Sequence, residues 1–397
     1  MNTRAGLAGE WLARERADAS PRRTAAGRAE WKLLSALADL RAEWRDLSAR
    51  ALEPNVFYDP DFALAAAPVL GADAGAVLVW SKAQRLIGFF PARIERRYGV
   101  MATLTGWTHP YAPFGVPLVD RDEAEAAVTA FLDHVEANEK LPKLVMLPLI
   151  AREGPFVAAL VRVLGRRRGA MMNFGDHARA MLAPSGDRAG YLDHAVAHKK
   201  LKELRRQRRR LDDVAAVELE TAREPAAVSS ALVDFFALES GGWKGRAGTA
   251  AAHDAAVRTF IQHAIPDLAV RGNARVDRLV QSGRPLAVTI TLRLGASAWF
   301  WKIAYDEAFA RASPGVQISL DLTGHLLTDS GLAQTDSCAT AGHPMIDHLW
   351  RERLALTDML VAPSSTALTQ FGIARHLETL RRIMIESAKR LRDTLKS

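Results

Sequence analysis

The sequence predicts an α/β protein built as a tandem, with two mixed sheets flanked by helices in one chain. Three observations carry this expectation. Short runs rich in β-branched and aromatic residues alternate with amphipathic segments of helical period along most of the 397 residues. The turn-rich run Pro184-Ser-Gly-Asp-Arg-Ala-Gly190 interrupts the alternation near the middle. A hydrophobic content of 49% over this length is enough for two ordinary cores. The expected divisions are a loose leader at 1–30, a first unit at 31–184, a second at 190–363 and a C-terminal helix at 364–397.

Residues 1–30 are rich in Ala and Arg without periodicity, hence the leader. Leu33, Leu34, Leu37, Leu40, Trp44 and Leu47 recur at helical spacing and predict a helix over 31–52, ended by Pro54. Residues 76–80, 86–92 and 101–104 read as strands. The proline-rich stretch 107–117 cannot be an interior strand, so it is an ordered loop whose Trp107, Tyr111 and Phe114 either line an acceptor pocket or cover a sheet edge. A helix at 123–137, a buried strand at 144–149, a helix at 155–164 and a strand near Met171 complete the first unit.

The second unit opens on a basic helix, followed by a strand (216–220), a helix (226–239), a Gly-rich loop at Trp243 and Lys244, and a helix (253–271). Strands at 275–281, 285–294 and 298–305, joined by short Gly-containing connectors, predict an antiparallel meander. The meander leads into Ser313-Pro314-Gly315, which opens an amphipathic helix: Ser as N-cap, Pro at the first helical position, Gly where a ligand approaches the backbone. Free amides beside the positive end of the helix dipole make such a start a seat for phosphate. Strands at 333–338 and 354–361 and a helix from about Ser365 follow.

Charge is concentrated rather than spread. Between Lys199 and Arg210 eight cations stand against Glu203 alone, which accounts for nearly all of the formal net charge of +8. Leu201, Leu204 and Leu211 pack one side; the other is a solvated basic face or an attachment point for an anionic partner. No interleaved aromatics support base stacking. One cysteine, Cys338, excludes an internal disulfide framework. No uncharged apolar run approaches a membrane span, so the expected location is cytoplasmic.

Three antiparallel strands, a phosphate-shaped helix start and a further strand follow the order of the GNAT acyltransferase core. Within it, the YDEAFARASPG, LESGGWKG and DSCATAGHPMIDHLW segments resemble the CelD-type acetyltransferases of cellulose and exopolysaccharide production. The tandem arrangement is similar to the Fem-type aminoacyltransferases of peptidoglycan synthesis. Arg311-Ala-Ser-Pro-Gly-Val departs from the common Gln/Arg-x-x-Gly-x-Gly/Ala phosphate loop. The resemblance implies acyl transfer from acetyl-CoA to an amino or hydroxyl group of a small or sugar-related acceptor. The alternatives are transfer from aminoacyl-tRNA, or a catalytically degenerate binding subunit of a polysaccharide-synthesis assembly. It places the donor at Trp301, Lys302, Ile303, Ser313, Pro314, Gly315 and Val316, and the acceptor at Trp243, Lys244 and His343. Proton acceptors are sought at Glu239, which precedes the flexible Ser-Gly-Gly-Trp loop, and at Asp336, with Asp306 and His343 as further choices; Tyr305 joins the catalytic candidates. Lys302, out of phase with Trp299, Trp301 and Tyr305, is expected on the opposite strand face. His343, Asp347 and His348 lack the helical His-x-x-x-His geometry, so no metal site is expected.

Overall fold

The computed structural model describes residues 26–97, 101–184, 186 and 188–394. Most of the expected leader, 1–25, lies outside these.

The first half contains β1 (Ala26–Leu33), α1 (Arg41–Ala49), α2 (Pro60–Leu70), β2 (Gly75–Ser81), β3 (Leu86–Arg97), β4 (Met101–Gly106), β5 (Leu118–Val119), α3 (Ala124–Ala137), β6 (Val145–Ala151), α4 (Pro155–Arg167) and β7 (Ala170–Leu182). The second contains α5 (Tyr191–Ala195), α6 (His198–Asp212), β8 (Val217–Ala222), α7 (Pro225–Gly241), α8 (Trp243–Arg246), α9 (Ala255–Ala269), β9 (Ala274–Gln281), β10 (Arg284–Leu294), β11 (Ser297–Tyr305), α10 (Pro314–Thr328), β12 (Gln334–Asp336), β13 (Glu352–Ala362) and α11 (Leu368–Thr394).

Two expectations near the N-terminus fail. Residues 26–30 belong not to a leader but to β1, which pairs antiparallel with β2, Trp31 opposite Val77. A Cβ on Gly27 would stand 2.7 Å from the Ser81 carbonyl oxygen, so glycine permits this close pairing. The helix expected over 31–52 is confined to Arg41–Ala49, because the chain first completes the sheet edge and then turns through two short 3₁₀ segments. Helical spacing of leucines was outweighed there by an available strand edge.

The mixed α/β class holds, but the two expected sheets are one. Strand order is β1-β2-β3-β4-β6-β13-β7-β12-β11-β10-β9-β8, with β5 beside β3. β13 comes from the end of the second half and inserts between β6 and β7 of the first, antiparallel to both. Chain order and spatial halves therefore do not coincide. The halves are also fastened by side chains: the Arg271 guanidinium donates to the buried carboxylates of Asp61 (2.9 Å) and Asp59 (2.6 Å). Phe62 of α2 meets Phe260 of α9 edge to face at 5.2 Å. Together with Phe57, Trp299 and Trp301 these residues belong to a single large core running through both halves. The predicted meander β9-β10-β11 is present, turning at Gly283 (φ 76°) and Gly295 (φ 57°), conformations that glycine adopts without strain. Among the described residues no helix is long and apolar enough to cross a membrane.

Candidate active site

β11 and β12 run parallel and pair only from Ser297 to Trp299 against Gln334 to Asp336. β12 ends there, so Phe300 to Tyr305 of β11 have β10 on one side and no strand on the other among the described residues. This is a wedge-shaped opening in an otherwise continuous sheet, lined by backbone groups that ladder pairing does not use.

A bulge places the side chains. The register between β10 and β11 shifts after Ile290, which faces Lys302, to Thr291, which faces Phe300. Trp301 is the extra residue. The period of two is broken there, so the expectation that Lys302 lies on the face opposite Trp301 is incorrect. Lys302 Nζ stands 5.6 Å from the Trp301 ring centroid and 4.3 Å from that of Tyr111. The Trp301 indole N–H donates to the Tyr111 carbonyl at 2.8 Å, pinning the proline-rich loop of the first half against the wedge. Of that loop's aromatics, Tyr111 sets its ring against Lys302 and Phe114 lines a cavity between the halves, while Trp107 is fully buried, its indole N–H donating to the Leu70 carbonyl.

Burial pushes the Lys302 ammonium down to about 8, with Lys244 adding to the effect and Glu239 and Cys338 opposing it. Glu239, buried at the end of α7, accepts from Lys244 Nζ and from the Ala251 amide, each at 2.8 Å. Glu239, Lys244, Trp301 and Lys302, predicted from the sequence, thus gather in one place with Tyr111 and Cys338. His109 joins them; its imidazole, held down to about 3 by burial, Arg93 and Lys302, is neutral.

The remaining candidates separate. Asp336 is gripped by Arg179: the guanidinium Nε donates to Oδ1 at 2.7 Å and a second nitrogen to Oδ2, with both residues buried. Oδ1 also accepts from the Cys338 amide. A carboxylate so committed is a brace, not a free base. Burial and the neighbouring Asp336 carboxylate push the Cys338 thiol up, and it remains protonated. Tyr305 lies at the far end of β11, its ring against Gly315 rather than beside Lys302. Ser313 does not cap as expected. It adopts a left-handed conformation (φ 54°, ψ 52°) and its side chain makes no cap hydrogen bond. The Ser313 carbonyl instead accepts from the Val316 (2.9 Å) and Gln317 (3.0 Å) amides, and Pro314 has no N–H, so the Gly315 amide is the one in that turn without an acceptor among the described residues. A Cβ on Gly315 would lie 3.0 Å from Tyr305 Cδ1. Ile303 and Val316 are half-buried and pack against the core beneath. Trp243 is 55% exposed and its amide donates to Glu307. His343 Nδ1 accepts from the Met345 amide, and no contact joins it to Lys302 or Glu239 among the described residues. Asp306 pairs with Arg284 and caps the turn after β11.

Sequence reasoning missed Arg179 and Glu53, which no local motif marks. Glu53 follows a helix and precedes Pro54, the signature of an ordinary helix end.

A model of the acetyltransferase (GNAT) domain family matches residues 198–341. Comparison with curated proteins gives no match. Among solved structures, FemX is similar over 83% of this chain and 98% of its own, at 9% identity and a TM-score of 0.57. A conserved protein of unknown function from Bacteroides thetaiotaomicron is similar over 82% of this chain and 96% of its own, at 10% identity and a TM-score of 0.53. The C-terminal domain of a protein assigned as a lysylphosphatidylglycerol synthetase, from Agrobacterium fabrum, is similar over 86% of this chain and 96% of its own, at 12% identity and a TM-score of 0.51. These identities speak for the fold. Residues 198–341 thus match the GNAT acetyltransferase domain model, and the fold as a whole is similar to that of FemX.

Proposed function

We propose that the protein transfers an acyl group, most simply acetyl from acetyl-CoA, to an amino or hydroxyl group of a small or sugar-related acceptor, in keeping with the CelD-type resemblance. The observation that carries this reading is the wedge between β11 and β12, with the bulge at Trp301 on one side and the start of α10 at its end. The start of α10 fits a pyrophosphate in one respect: the Gly315 amide has no acceptor among the described residues, and the glycine leaves space beside Tyr305 that a larger residue would fill. When bound, the thioester donor would supply an acyl carbon open to attack by the acceptor, with the carbon–sulfur bond breaking and the CoA thiolate leaving.

The chain's own residues then divide the work. The unpaired edge of β11 offers backbone groups to an extended arm. Lys302, its charge weakened by burial, takes the acceptor's proton as the neutral amine. Tyr111 holds the side chain in place through its ring face. Glu239 orders Lys244 and the start of the 251–253 turn, closing the acceptor side of the cluster. Trp243 and His343 stay outside this cluster.

Gly315→Asp tests the donor site. An acidic residue in the first turn favours the helix itself and repels a phosphate. The folded aspartate variant should lose CoA binding in calorimetry, while Gly315→Ala, which needs Tyr305 to give by only a few tenths of an ångström, stays folded and binds. CoA binding by a folded Gly315→Asp protein as tight as the parent's would sink the donor assignment.

A second reading has its own support. α6 exposes Lys199, Lys200, Lys202, Arg209 and Arg210 along one face, with no ion pair on any of them among the described residues, and the fold match to FemX spans most of the chain. An anionic partner there, transfer RNA in the Fem-type case, is tested by thermal shift with CoA and tRNA in parallel. Stabilisation by tRNA alone favours this reading, and stabilisation by CoA alone the first. A response to neither favours a binding subunit that has lost catalysis.

A further inference from the structure

Beside the paired end of β11 and β12 a cavity of about 400 Å³ opens between the two halves, walled by Glu53, Phe114, Met181, Trp299, Asp336 and Arg353. Its charges are unevenly satisfied. Asp336 is held by Arg179, and the Arg353 guanidinium donates to the Trp350, Arg351 and Glu352 carbonyls. Glu53, half-buried, has one donor among the described residues, the Phe156 amide at 2.7 Å, and no cation. Gly154 permits the carboxylate's position: a Cβ there would come within 2.4 Å of Glu53 Oε1. A carboxylate desolvated on a cavity wall without a counter-charge is a costly arrangement unless something else brings the charge. Phe114 and Trp299 supply apolar and aromatic surface facing the same space.

The cavity adjoins the acyl-transfer cluster. Trp299 lies on its wall, and Lys302 follows three residues along β11, about 10 Å at the rise of a strand. We propose that this cavity receives the acceptor, and that the acceptor carries an ammonium group seated on the Glu53 carboxylate with its nucleophile reaching Lys302 at the other end. The inference rests on the acyl-transfer reading and adds to it a substrate class: acceptors that carry an ammonium group in addition to the reacting amine or hydroxyl.

The probes are 6-aminohexanol and 1,6-hexanediol, matched in length and differing in the ammonium. Titrated into the parent protein at pH 8 and followed by NMR, the amine should bind at least about fivefold more tightly than the diol, since the charged pair is shielded from water. Glu53→Gln keeps the shape and the Phe156 hydrogen bond; with its fold confirmed by circular dichroism, it should bind the two probes alike. Met181→Trp fills the cavity with Glu53 intact, and should abolish binding of both. Equal affinities in the parent, a preference that survives Glu53→Gln, or unchanged binding in Met181→Trp would each overturn the proposal. CoA titrated into the same three proteins checks the underlying reading separately. An amine preference in a parent that does not bind CoA would overturn acyl transfer while leaving an amine site.

Discussion

Two seams of the same sheet behave in opposite ways. At one, β13 lies between β6 and β7 and pairs with β7 from Glu352 to Ala362, so the backbone ladder is nearly complete and Met359, Leu360 and Val361 are buried. At the other, β11 and β12 pair over three residues and part. Closed pairing satisfies backbone groups and joins the halves. Open pairing leaves a strand edge exposed, a liability that proteins retain where something is to be bound. The charged groups follow the same division. Asp336, on β12 where the two strands still pair, has Arg179 on both oxygens, whereas Lys302 beyond the point where they part has aromatic rings and no hydrogen-bonded anion among the described residues.

The largest effect should come from breaking the closed seam. Met359→Asp places an unpaired charge in a fully buried strand between the halves, at a cost of about 3 kcal/mol or more. Urea unfolding should show one transition moved to lower denaturant, because β13 belongs to both halves. If two transitions appear with only one displaced, the halves fold separately and the seam is not a joint.

At the open seam the expected loss is functional. Lys302→Met should lower kcat/KM by about 10²- to 10⁴-fold, the range for removing a general base, while CoA affinity stays within about twofold. In the parent, kcat/KM should rise as pH increases through about 8, where the Lys302 ammonium gives up its proton, and the variant should lack that limb. A variant with the same limb would assign the proton transfer to another group.

The smallest effect separates Glu53 from both. Burial pushes its carboxyl up to about 7, against the lowering influence of the Phe156 amide. The raised value means that the folded protein holds the proton more tightly. This contribution to stability is full below about pH 4.5 and is lost as pH rises through about 7. For a half-buried group the loss should be about 1–2 kcal/mol. Glu53→Gln should flatten that part of the stability curve in thermal unfolding between pH 4.5 and 8. A curve of unchanged slope would show that Glu53 is solvated and that the cavity does not desolvate it.

Much of the molecule follows from the sequence. Local periodicity and turn residues determined most strands and helices of the second half, because the meander's connectors need glycine and its strands are rich in β-branched and aromatic residues. A local signal, a carboxylate at a Gly-rich helix end, brought Glu239 forward, while Lys244, Trp301 and Lys302 came from the resemblance to the GNAT core. Tertiary structure alone decided the rest. Pairing of 26–33 with β2 overrode helical spacing, and insertion of β13 between β6 and β7 merged two expected sheets. The bulge at Trp301 reversed the predicted facing of Lys302, because register is settled by the partner strand and not by the strand's own residues. Arg179 meets Asp336 across 157 residues of chain, and Glu53 meets the Phe156 amide across 103. Such pairings are set by which surfaces the fold brings together and leave no pattern of spacing or composition from which they can be read.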